Sequence, residues 1–420
     1  MATLDALLSA ARTAQRSLAR SSADQRTAAL ESVARSLDAH RDAILAANAD
    51  DLRLAPTDLS AAMRDRLALT HSRLDGVITA VHEIAAMPDP LDEERSVGTR
   101  PNGLLISRRR IPLGVIAVIY EARPNVTAES AALIIRSGNA VVLRGGSEAL
   151  RSNTAFATAV RAGLAAAGLD PNAVSLITDP DRARVTELLQ ATGRIDLAIP
   201  RGGHALMAFV DATARVPVIR HGAGVCHVYV DRAADLAMAE NITVNAKVQR
   251  PGVCNAAETL LVHRAVADAL LPSLGRRLVA AGVELRADAS AQVVFARAEV
   301  PSRDACTEDW DTEFLGLVLA VRCVDDLDAA LAHIAQHGTE HSAAIVTADA
   351  DAGERFLREV TASCVLLNAS TRFNDGGELG LGAEIGISTS RMHAFGPMSA
   401  RELTAEKFVV RGAGQVRGAS

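Results

Sequence analysis

Aromatic residues are scarce in this 420-residue chain, where one Trp, two Tyr and eight Phe make up 3% of the sequence. The core must therefore be built from Ala, Val, Leu and Ile, and binding sites based on aromatic stacking are not expected. An excess of positive charge is also missing, since the formal net charge is -6. Because phosphate backbones are bound by basic surfaces, nucleic acid is not expected as a partner.

Cysteines and long apolar runs are few as well. The five cysteines are scattered and odd in number, which excludes a disulfide framework, fits a reducing compartment and leaves room for one working thiol. The most apolar stretch, 111–120, is about half of the ~20 residues that span a bilayer, so we predict a buried strand there and no membrane partner. Asp5, Asp24 and Glu31 interrupt the N-terminal pattern expected of a transit peptide, and a cytoplasmic location follows.

Apolar periodicity divides the chain into a helical beginning and two regions of alternating strands and helices. Residues 1 to about 85 have helical spacing, and short apolar runs alternate with helical segments from 108 onwards and again from about 228 to 367. This alternation predicts an α/β fold with parallel sheets. More than one domain is expected, because single cores rarely grow beyond ~250–300 residues.

Two glycine-rich turns follow predicted strands and open predicted helices. They read Arg144-Gly145-Gly146-Ser147 and Pro200-Arg201-Gly202-Gly203. Backbone N–H groups at the start of a helix suit a phosphate, and an arginine can add further donors. A plain strand-to-helix turn explains each pattern equally well, since neither turn matches a dinucleotide fingerprint or a P-loop.

The most distinctive segment is 245–256, in which Cys254 follows a predicted helix within a Pro-Gly bend. Lys247 and Arg250 are close in sequence, and nearby positive charge lowers the pKa of a thiol. Such a bend can also direct backbone N–H groups at an oxyanion. A nucleophile and a buried structural cysteine are both compatible with these residues. The other four cysteines lie in apolar or featureless contexts and are interpreted as packing.

Three histidines, His333, His337 and His341, have a spacing that would place them on one face of a helix. Gly338 interrupts that helix, and no cysteine or carboxylate cluster joins them. We therefore predict no metal site.

Residues 249–256 resemble the catalytic-cysteine motif of the aldehyde dehydrogenase superfamily. Further segments agree, in order, with the branch of that superfamily that reduces L-glutamyl 5-phosphate, namely 120–127, 137–146, 324–345 and 373–388. The resemblance covers nearly the whole chain from about residue 100. It implies an aldehyde-dehydrogenase-like fold with a Rossmann-type cofactor domain (1–106 and 128–225), an α/β catalytic domain (226–367), a small β oligomerisation element (107–127 and 387–420) and a substrate or cofactor loop (368–386).

The resemblance also implies a reaction. Cys254 would displace phosphate from the acyl phosphate to form a thioester, and NADPH would reduce that thioester to L-glutamate 5-semialdehyde. The Cys254 N–H and the side-chain amide of Asn125 would hold the oxyanion. The remaining implied contacts are Arg144, Gly145 and Ser147 with the adenosine and its 2′-phosphate, Gly202 and Gly203 with the cofactor phosphates, Glu313 and Phe314 with the nicotinamide ribose, and Ser370, Thr371 and Arg372 with the substrate carboxylate. A solvated loop arginine or a cofactor contact would explain Arg372 equally well.

One absence refines this reading. Hydrolytic members of the superfamily carry a water-activating glutamate where this chain has 218–224, a segment without a carboxylate. Without a general base, water should attack the thioester slowly, whereas phosphate is itself a nucleophile. A reductive enzyme that exchanges phosphate is therefore expected.

At two positions the chain differs from the branch of the superfamily that it resembles, and these differences leave alternative functions open. Ala343 stands where an acidic residue is usual, and Phe395 replaces a cation. The alternatives are a related acyl-phosphate or aldehyde reductase with another substrate, a non-redox cysteine acyltransferase, and an inactive scaffold. The resemblance further implies a homo-oligomer, a dimer or a tetramer, and a channelling interaction with glutamate 5-kinase.

Overall fold

The computed structural model describes residues 3–56, 59, 61–121, 123–220 and 222–418. The chain divides into two compact units. Unit 1 comprises Met1–Arg220, Leu381–Gly386 and Met398–Ser420, and unit 2 comprises His221–Gly380 and Ile387–Pro397. Within the described ranges, no helix combines the length and the apolar character needed to cross a membrane.

Several helices begin at polar caps that the sequence supplies. Ser22 and Gln25, for example, form a capping box in which each side chain bonds the other's backbone N–H. The helices are α1 Leu4–Leu18, α2 Ala23–Ala39, α3 Arg41–Leu54, α4 Ala61–Leu67, α5 His71–Ala86, α6 Asn125–Arg136, α7 Leu150–Ala166, α8 Ala183–Leu189, α9 His204–Thr213, α10 Leu236–Val248, α11 Arg264–Ala280, α12 Ala289–Arg297, α13 Leu327–His337 and α14 Ala350–Glu359.

Most strands lie where the apolar runs predicted them, with further short strands between. They are β1 Glu94–Thr99, β2 Leu105–Pro112, β3 Val115–Tyr120, β4 Ala140–Gly145, β5 Val174–Leu176, β6 Leu197–Arg201, β7 Cys226–Val230, β8 Ala257–His263, β9 Glu284–Ala287, β10 Arg303–Asp304, β11 Val318–Val324, β12 Ser342–Val346, β13 Cys364–Leu367, β14 Ile387–Ser388, β15 Gly396–Pro397 and β16 Thr404–Arg411.

Unit 1 contains a parallel sheet in the order β5-β4-β3-β6. Every residue of β3 is buried, as expected for a central parallel strand covered on both faces. The chain moves from β3 to β4 and β5 on one side and then to β6 on the other. The strand order therefore reverses between β3 and β6, which leaves a crevice at their carboxyl ends.

A second, antiparallel sheet of unit 1 has the order β1-β2-β16 and joins the chain near 105–112 to the tail. The expectation that 107–127 forms one element with the tail needs correction, because β2 pairs with β16 whereas β3 lies in the parallel sheet. The apolar run 111–120 is broken for a local reason. Pro112 has no backbone N–H to donate to a neighbouring strand, and Gly114 has a φ of +134°, which favours glycine.

Unit 2 is built on a parallel sheet in the order β10-β9-β11-β8-β7-β12-β13. Helices α10, α11 and α12 supply buried residues to one hydrophobic cluster, and α13 and α14 supply residues to a second. Because helices cover a parallel sheet in each unit, the predicted α/β fold is confirmed.

Candidate active site

Cys254 lies in the turn that connects the end of α10 to the start of β8 in unit 2. The turn is closed by a hydrogen bond from the Ala256 N–H to the Val253 carbonyl, 3.1 Å long. The Cys254 carbonyl accepts a hydrogen bond from the thiol of Cys226, with a sulfur–oxygen distance of 3.1 Å. Cys254 itself is half-buried, and its peptide is anchored in the unit by this bond.

Gly224 packs directly against this turn. A Cβ at residue 224 would stand 1.9 Å from the Cys254 carbonyl oxygen, so only glycine fits. Burial raises the pKa of Glu313, and the backbone N–H of Gly224 lowers it to a smaller extent. Gly224 thus links the Cys254 turn to the Glu313 segment, a role that sequence reasoning missed.

Lys247 and Arg372 are two cations whose charges have different surroundings. Lys247 is fully buried and its ammonium pairs with Glu258 at 2.5 Å. Burial lowers the pKa of Arg372, the charge of Arg250 lowers it further, and the charges of Asp375 and Cys254 raise it. Arg372, which is remote in sequence, is therefore a cation in the electrostatic environment of Cys254.

The loop Ser370–Arg372 is joined to the Cys254 turn by hydrogen bonds. The side-chain amide of Asn255 donates to the backbone carbonyls of Asn374, at 2.9 Å, and of Arg372, at 3.4 Å. The Arg372 Nε donates to the Gln249 side chain at 2.8 Å. Ser370 accepts the Arg372 N–H at 3.3 Å. The structure therefore brings the predicted substrate loop to the predicted nucleophile through Asn255 and Gln249.

Thr371 and Phe314 belong to the same unit, and Phe314 is only partly buried. Thr371 is completely buried within the turn that carries Arg372. The ring of Phe314 lies beneath two cations, with its centroid 5.9 Å from Lys247 Nζ and 5.1 Å from Arg286 Cζ. Both residues therefore contribute to the shape of the site through packing, and their contacts with ligands stay predictions.

In unit 1, the predicted cofactor arginine is held by backbone carbonyls. Arg144 Nη1 donates to the Gly145 carbonyl at 2.9 Å and Nη2 to the Pro180 carbonyl at 2.8 Å. Burial is the main cause that lowers its pKa. Ser147, two residues beyond Gly145, is exposed at the start of the turn that leads into α7. The 2′-phosphate contact of Arg144 stays a prediction, because two of its donor groups already have partners.

The second glycine turn lies at the crevice where the strand order reverses. The Gly203 N–H donates to the carboxylate of Glu121 at 3.0 Å, and a Cβ at Gly202 would stand 2.6 Å from the same carboxylate. Asn125, at the start of α6, donates its side-chain amide to Glu129 at 3.0 Å. Glu121 shows that the turn accepts an anion at its N–H. The residues at this crevice therefore fit the phosphates of a nucleotide cofactor.

The histidines do not form the helical face that their spacing allows. His333 and His337 lie on α13, whereas His341 lies beyond its end. His337 contacts Asp311 at 2.8 Å, and the His333 ring packs edge-on against Trp310. Over the parts of the chain that the structure describes, no group of three or more His, Cys, Asp or Glu residues could hold a metal ion.

Comparisons with known proteins agree with this architecture. A model of the aldehyde dehydrogenase family matches residues 1–296. The chain belongs to the aldehyde dehydrogenase family. The gamma-glutamyl phosphate reductase of Anaeromyxobacter sp. (strain Fw109-5) is 53% identical and covers 98% of this chain and 96% of its own length. That of Xanthomonas axonopodis pv. citri (strain 306) is 51% identical, over 94% of this chain and 95% of its own.

A comparison with solved structures also finds a gamma-glutamyl phosphate reductase. The crystal structure of gamma-glutamyl phosphate reductase from Thermotoga maritima has a TM-score of 0.94 at 41% identity and covers 98% of this chain and 99% of its own. Within the aldehyde dehydrogenase family, the chain thus belongs with the gamma-glutamyl phosphate reductases and is an oxidoreductase. The resemblance seen in the sequence motifs is confirmed. Family membership indicates a nicotinamide dinucleotide as the cofactor class.

Proposed function

We propose that this protein catalyses the NADPH-dependent reduction of L-glutamyl 5-phosphate to L-glutamate 5-semialdehyde with release of phosphate, the second step of proline biosynthesis from glutamate. The observation that carries the proposal is the hydrogen bonding of Asn255 to the loop of Arg372. It joins a cysteine turn to a cation that suits a carboxylate. The names of the relatives supply the substrate.

In the proposed reaction, the Cys254 thiolate attacks the acyl carbon, a carbon–sulfur bond forms, and phosphate leaves with the electrons of the carbon–oxygen bond. The backbone N–H of Cys254 and the amide of Asn125 hold the oxyanion. Arg372, with Ser370 and Thr371 shaping its turn, binds the substrate carboxylate. When bound, NADPH supplies a hydride. Collapse of the resulting thiohemiacetal returns the thiolate and releases the aldehyde.

The residues proposed to hold the cofactor are Arg144, Gly145, Ser147, Gly202, Gly203, Glu313 and Phe314. The N–H of Gly203, which binds the Glu121 carboxylate, supports a phosphate contact at this turn. The choice of NADPH rests on an arginine beside a neutral serine, a combination that favours an additional phosphate.

The lack of a carboxylate in 218–224 supports reduction over hydrolysis. A thioester on Cys254 would be attacked slowly by water without a general base. Phosphate needs less activation, so the reverse reaction should require it.

The test measures the reverse reaction by the absorbance of NADPH, with NADP⁺, glutamate 5-semialdehyde and phosphate. We expect NADPH formation that depends on phosphate and disappears in Cys254→Ala. The control is Cys306→Ala, which replaces an exposed cysteine of the same unit. Activity that persists in Cys254→Ala would exclude the thioester mechanism. Failure of the wild type to reduce NADP⁺ would favour the non-redox acyltransferase or the inactive scaffold.

The assembly of the protein is a separate part of the proposal. We infer a cytoplasmic homo-oligomer, with the β1-β2-β16 sheet as the assembly element, that docks with glutamate 5-kinase. Exposed Phe408 and Val410 on β16 support an interface there. Analytical ultracentrifugation of the wild type and of Phe408→Glu tests it. A wild-type monomer would contradict it.

A further inference from the structure

A buried ion pair spans the base of the Cys254 turn. Lys247 lies one residue before the end of α10, and Glu258 is the second residue of β8, so the pair flanks the segment that carries Cys254. Lys247 Nζ and Glu258 Oε2 are 2.5 Å apart, and both side chains are fully buried. The pair therefore joins the two ends of the Cys254 turn.

The same carboxylate also reaches the Glu313 segment. The second oxygen of Glu258 accepts the N–H of Leu315 at 3.3 Å. Lys247 Nζ lies 5.9 Å from the centroid of Phe314, the residue before Leu315. One buried pair thus contacts both the turn of the proposed nucleophile and the segment proposed to bind the nicotinamide ribose.

The backbone of Leu315 needs such support. Its φ is +52°, a left-handed conformation that branched and bulky residues rarely adopt. Sparsely populated conformations persist only where the surrounding structure holds them. The side chain of Leu315 is 44% exposed, so packing does little of this work. The hydrogen bond from its N–H to Glu258 is a specific restraint on this backbone.

A contribution to the folding stability of the protein does not by itself explain why this ion pair is buried here. Burial raises the pKa of Glu258 to about 7 and lowers that of Lys247, so both groups are drawn towards their neutral forms. Buried ion pairs can often be replaced by apolar residues of similar volume at no cost in stability. A role in positioning the backbone is the better explanation, because the pair connects the end of α10, the start of β8 and the segment that contains Leu315.

We propose that Lys247 and Glu258 are positioning residues that hold the Cys254 turn and the Glu313–Leu315 segment in the arrangement that the reaction needs. This inference rests on the proposed function for its consequence in catalysis. It assigns two tasks. The ion pair restrains the Cys254 turn, and the Glu258–Leu315 hydrogen bond restrains the cofactor segment.

Two double variants separate these tasks. Lys247→Met with Glu258→Gln removes the ion pair and keeps an acceptor for the Leu315 N–H. Lys247→Met with Glu258→Leu removes both. The control is Arg264→Ala with Asp325→Ala, which deletes an exposed pair of the same unit whose atoms are 2.6 Å apart. Circular dichroism and thermal melting establish that each variant is folded.

Three measurements follow: the rate at which iodoacetamide alkylates the Cys254 peptide, determined by mass spectrometry; the Kd of NADP⁺, determined by calorimetry; and kcat. We expect the alkylation rate and kcat to change at least about threefold in both double variants, because loss of a supporting contact misplaces the nucleophile. We expect the Kd of NADP⁺ to rise about tenfold in the leucine variant and less than about twofold in the glutamine variant. The control should match the wild type.

The proposal is overturned if the folded glutamine variant keeps wild-type alkylation and kcat, or if both variants bind NADP⁺ equally well. If the leucine variant does not fold, unchanged alkylation in the glutamine variant still overturns it and altered alkylation still supports it. Alkylation and calorimetry need no substrate. A wild type that does not oxidise glutamate 5-semialdehyde therefore refutes the proposed function alone, while altered alkylation would still support the positioning role.

Discussion

Gly224 meets the backbone of Cys254 so closely that a Cβ at residue 224 would stand 1.9 Å from the Cys254 carbonyl oxygen and 3.0 Å from its Cα. Because the obstacle is backbone, Gly224→Ala must displace the turn itself. We expect a fall in kcat/KM of about a hundredfold, as misplacement of a nucleophile by about 1 Å can cost that much.

The matched control for Gly224→Ala is Gly252→Ala in the Cys254 turn, where a new Cβ would meet its nearest neighbour at 3.7 Å. Initial rates of NADPH formation and thermal melts compare the two variants. Equal kcat/KM values would show that the close approach of Gly224 has no catalytic importance.

Arg372 offers a test of substrate binding. Arg372→Gln should raise the KM for glutamate 5-semialdehyde about 10- to 100-fold with a smaller effect on kcat, since a hydrogen bond to a charged group is worth about 1.5–3 kcal/mol. Arg358→Gln is the control, because Arg358 is a largely exposed arginine of the same unit. An unchanged KM would make Arg372 a solvated loop residue. A rise confined to the KM of NADP⁺ would make it a cofactor contact.

Buried His227 should make unit 2 sensitive to acid. Burial lowers the pKa of His227 to about 4, while its bond to the Val225 carbonyl opposes this effect. Between about pH 6.5 and pH 4 the unfolded chain therefore binds more protons than the folded chain, so this contribution to stability is fully present above about pH 6.5 and is lost progressively as the pH falls from about 6.5 to about 4. Between pH 7.5 and 5.0, His227 alone should cost about 2 kcal/mol.

The measurement for His227 is urea unfolding at both pH values, followed by the fluorescence of Trp310, which packs against His333 in the same unit. His227→Asn removes the titrating ring and keeps a donor for the Val225 carbonyl, so its loss of stability on acidification should be smaller. The control is His71→Asn at an exposed position. The same pH dependence in His227→Asn and in the wild type would contradict this account.

The substitution Gly145→Ala tests the close packing of the first glycine turn in unit 1. A Cβ there would lie 2.1 Å from Asn153 Nδ2 and 3.0 Å from the Tyr120 ring. These side chains form a buried network through Thr127, with hydrogen bonds of 2.6 and 3.0 Å. Gly145→Ala should destabilise the protein by about 1–3 kcal/mol, as overpacking usually does, and weaken NADP⁺ binding.

The control for Gly145→Ala is Gly76→Ala in the same unit, where a Cβ would meet nothing within 4 Å. Thermal melting and calorimetric titration with NADP⁺ compare them. If Gly76→Ala weakens binding as much as Gly145→Ala, crowding at Asn153 is not the cause.

The sequence was informative wherever local pattern and tertiary structure agree. Buried parallel strands such as β3 and β12 are continuous apolar runs, so the alternation of strands and helices predicted the α/β fold. The break at Gly114 was missed, since a short Pro-to-Gly interruption hardly alters the apolar pattern of 111–120.

The candidate active site could be predicted only in part from the sequence, for a different reason. Cys254 could be recognised from its own segment, whereas Asn255, Gly224 and the Lys247–Glu258 pair act through contacts with residues remote in sequence. A polar side chain beside a cysteine is common, and nothing local shows which backbone carbonyl it binds. Arg144 is the converse case, because the sequence could not show that the Gly145 and Pro180 carbonyls take up its donors.

The pairing of β2 with β16 has a consequence for synthesis on the ribosome. The two strands match from Leu105 with Arg411 to Pro112 with Thr404, while unit 2 occupies most of the chain between them. During translation, β2 therefore keeps one unpaired edge until all of unit 2 has been made. Such an edge can pair with strands of other chains. Nascent chains should therefore aggregate more readily, and need chaperones more, before β16 emerges than after it.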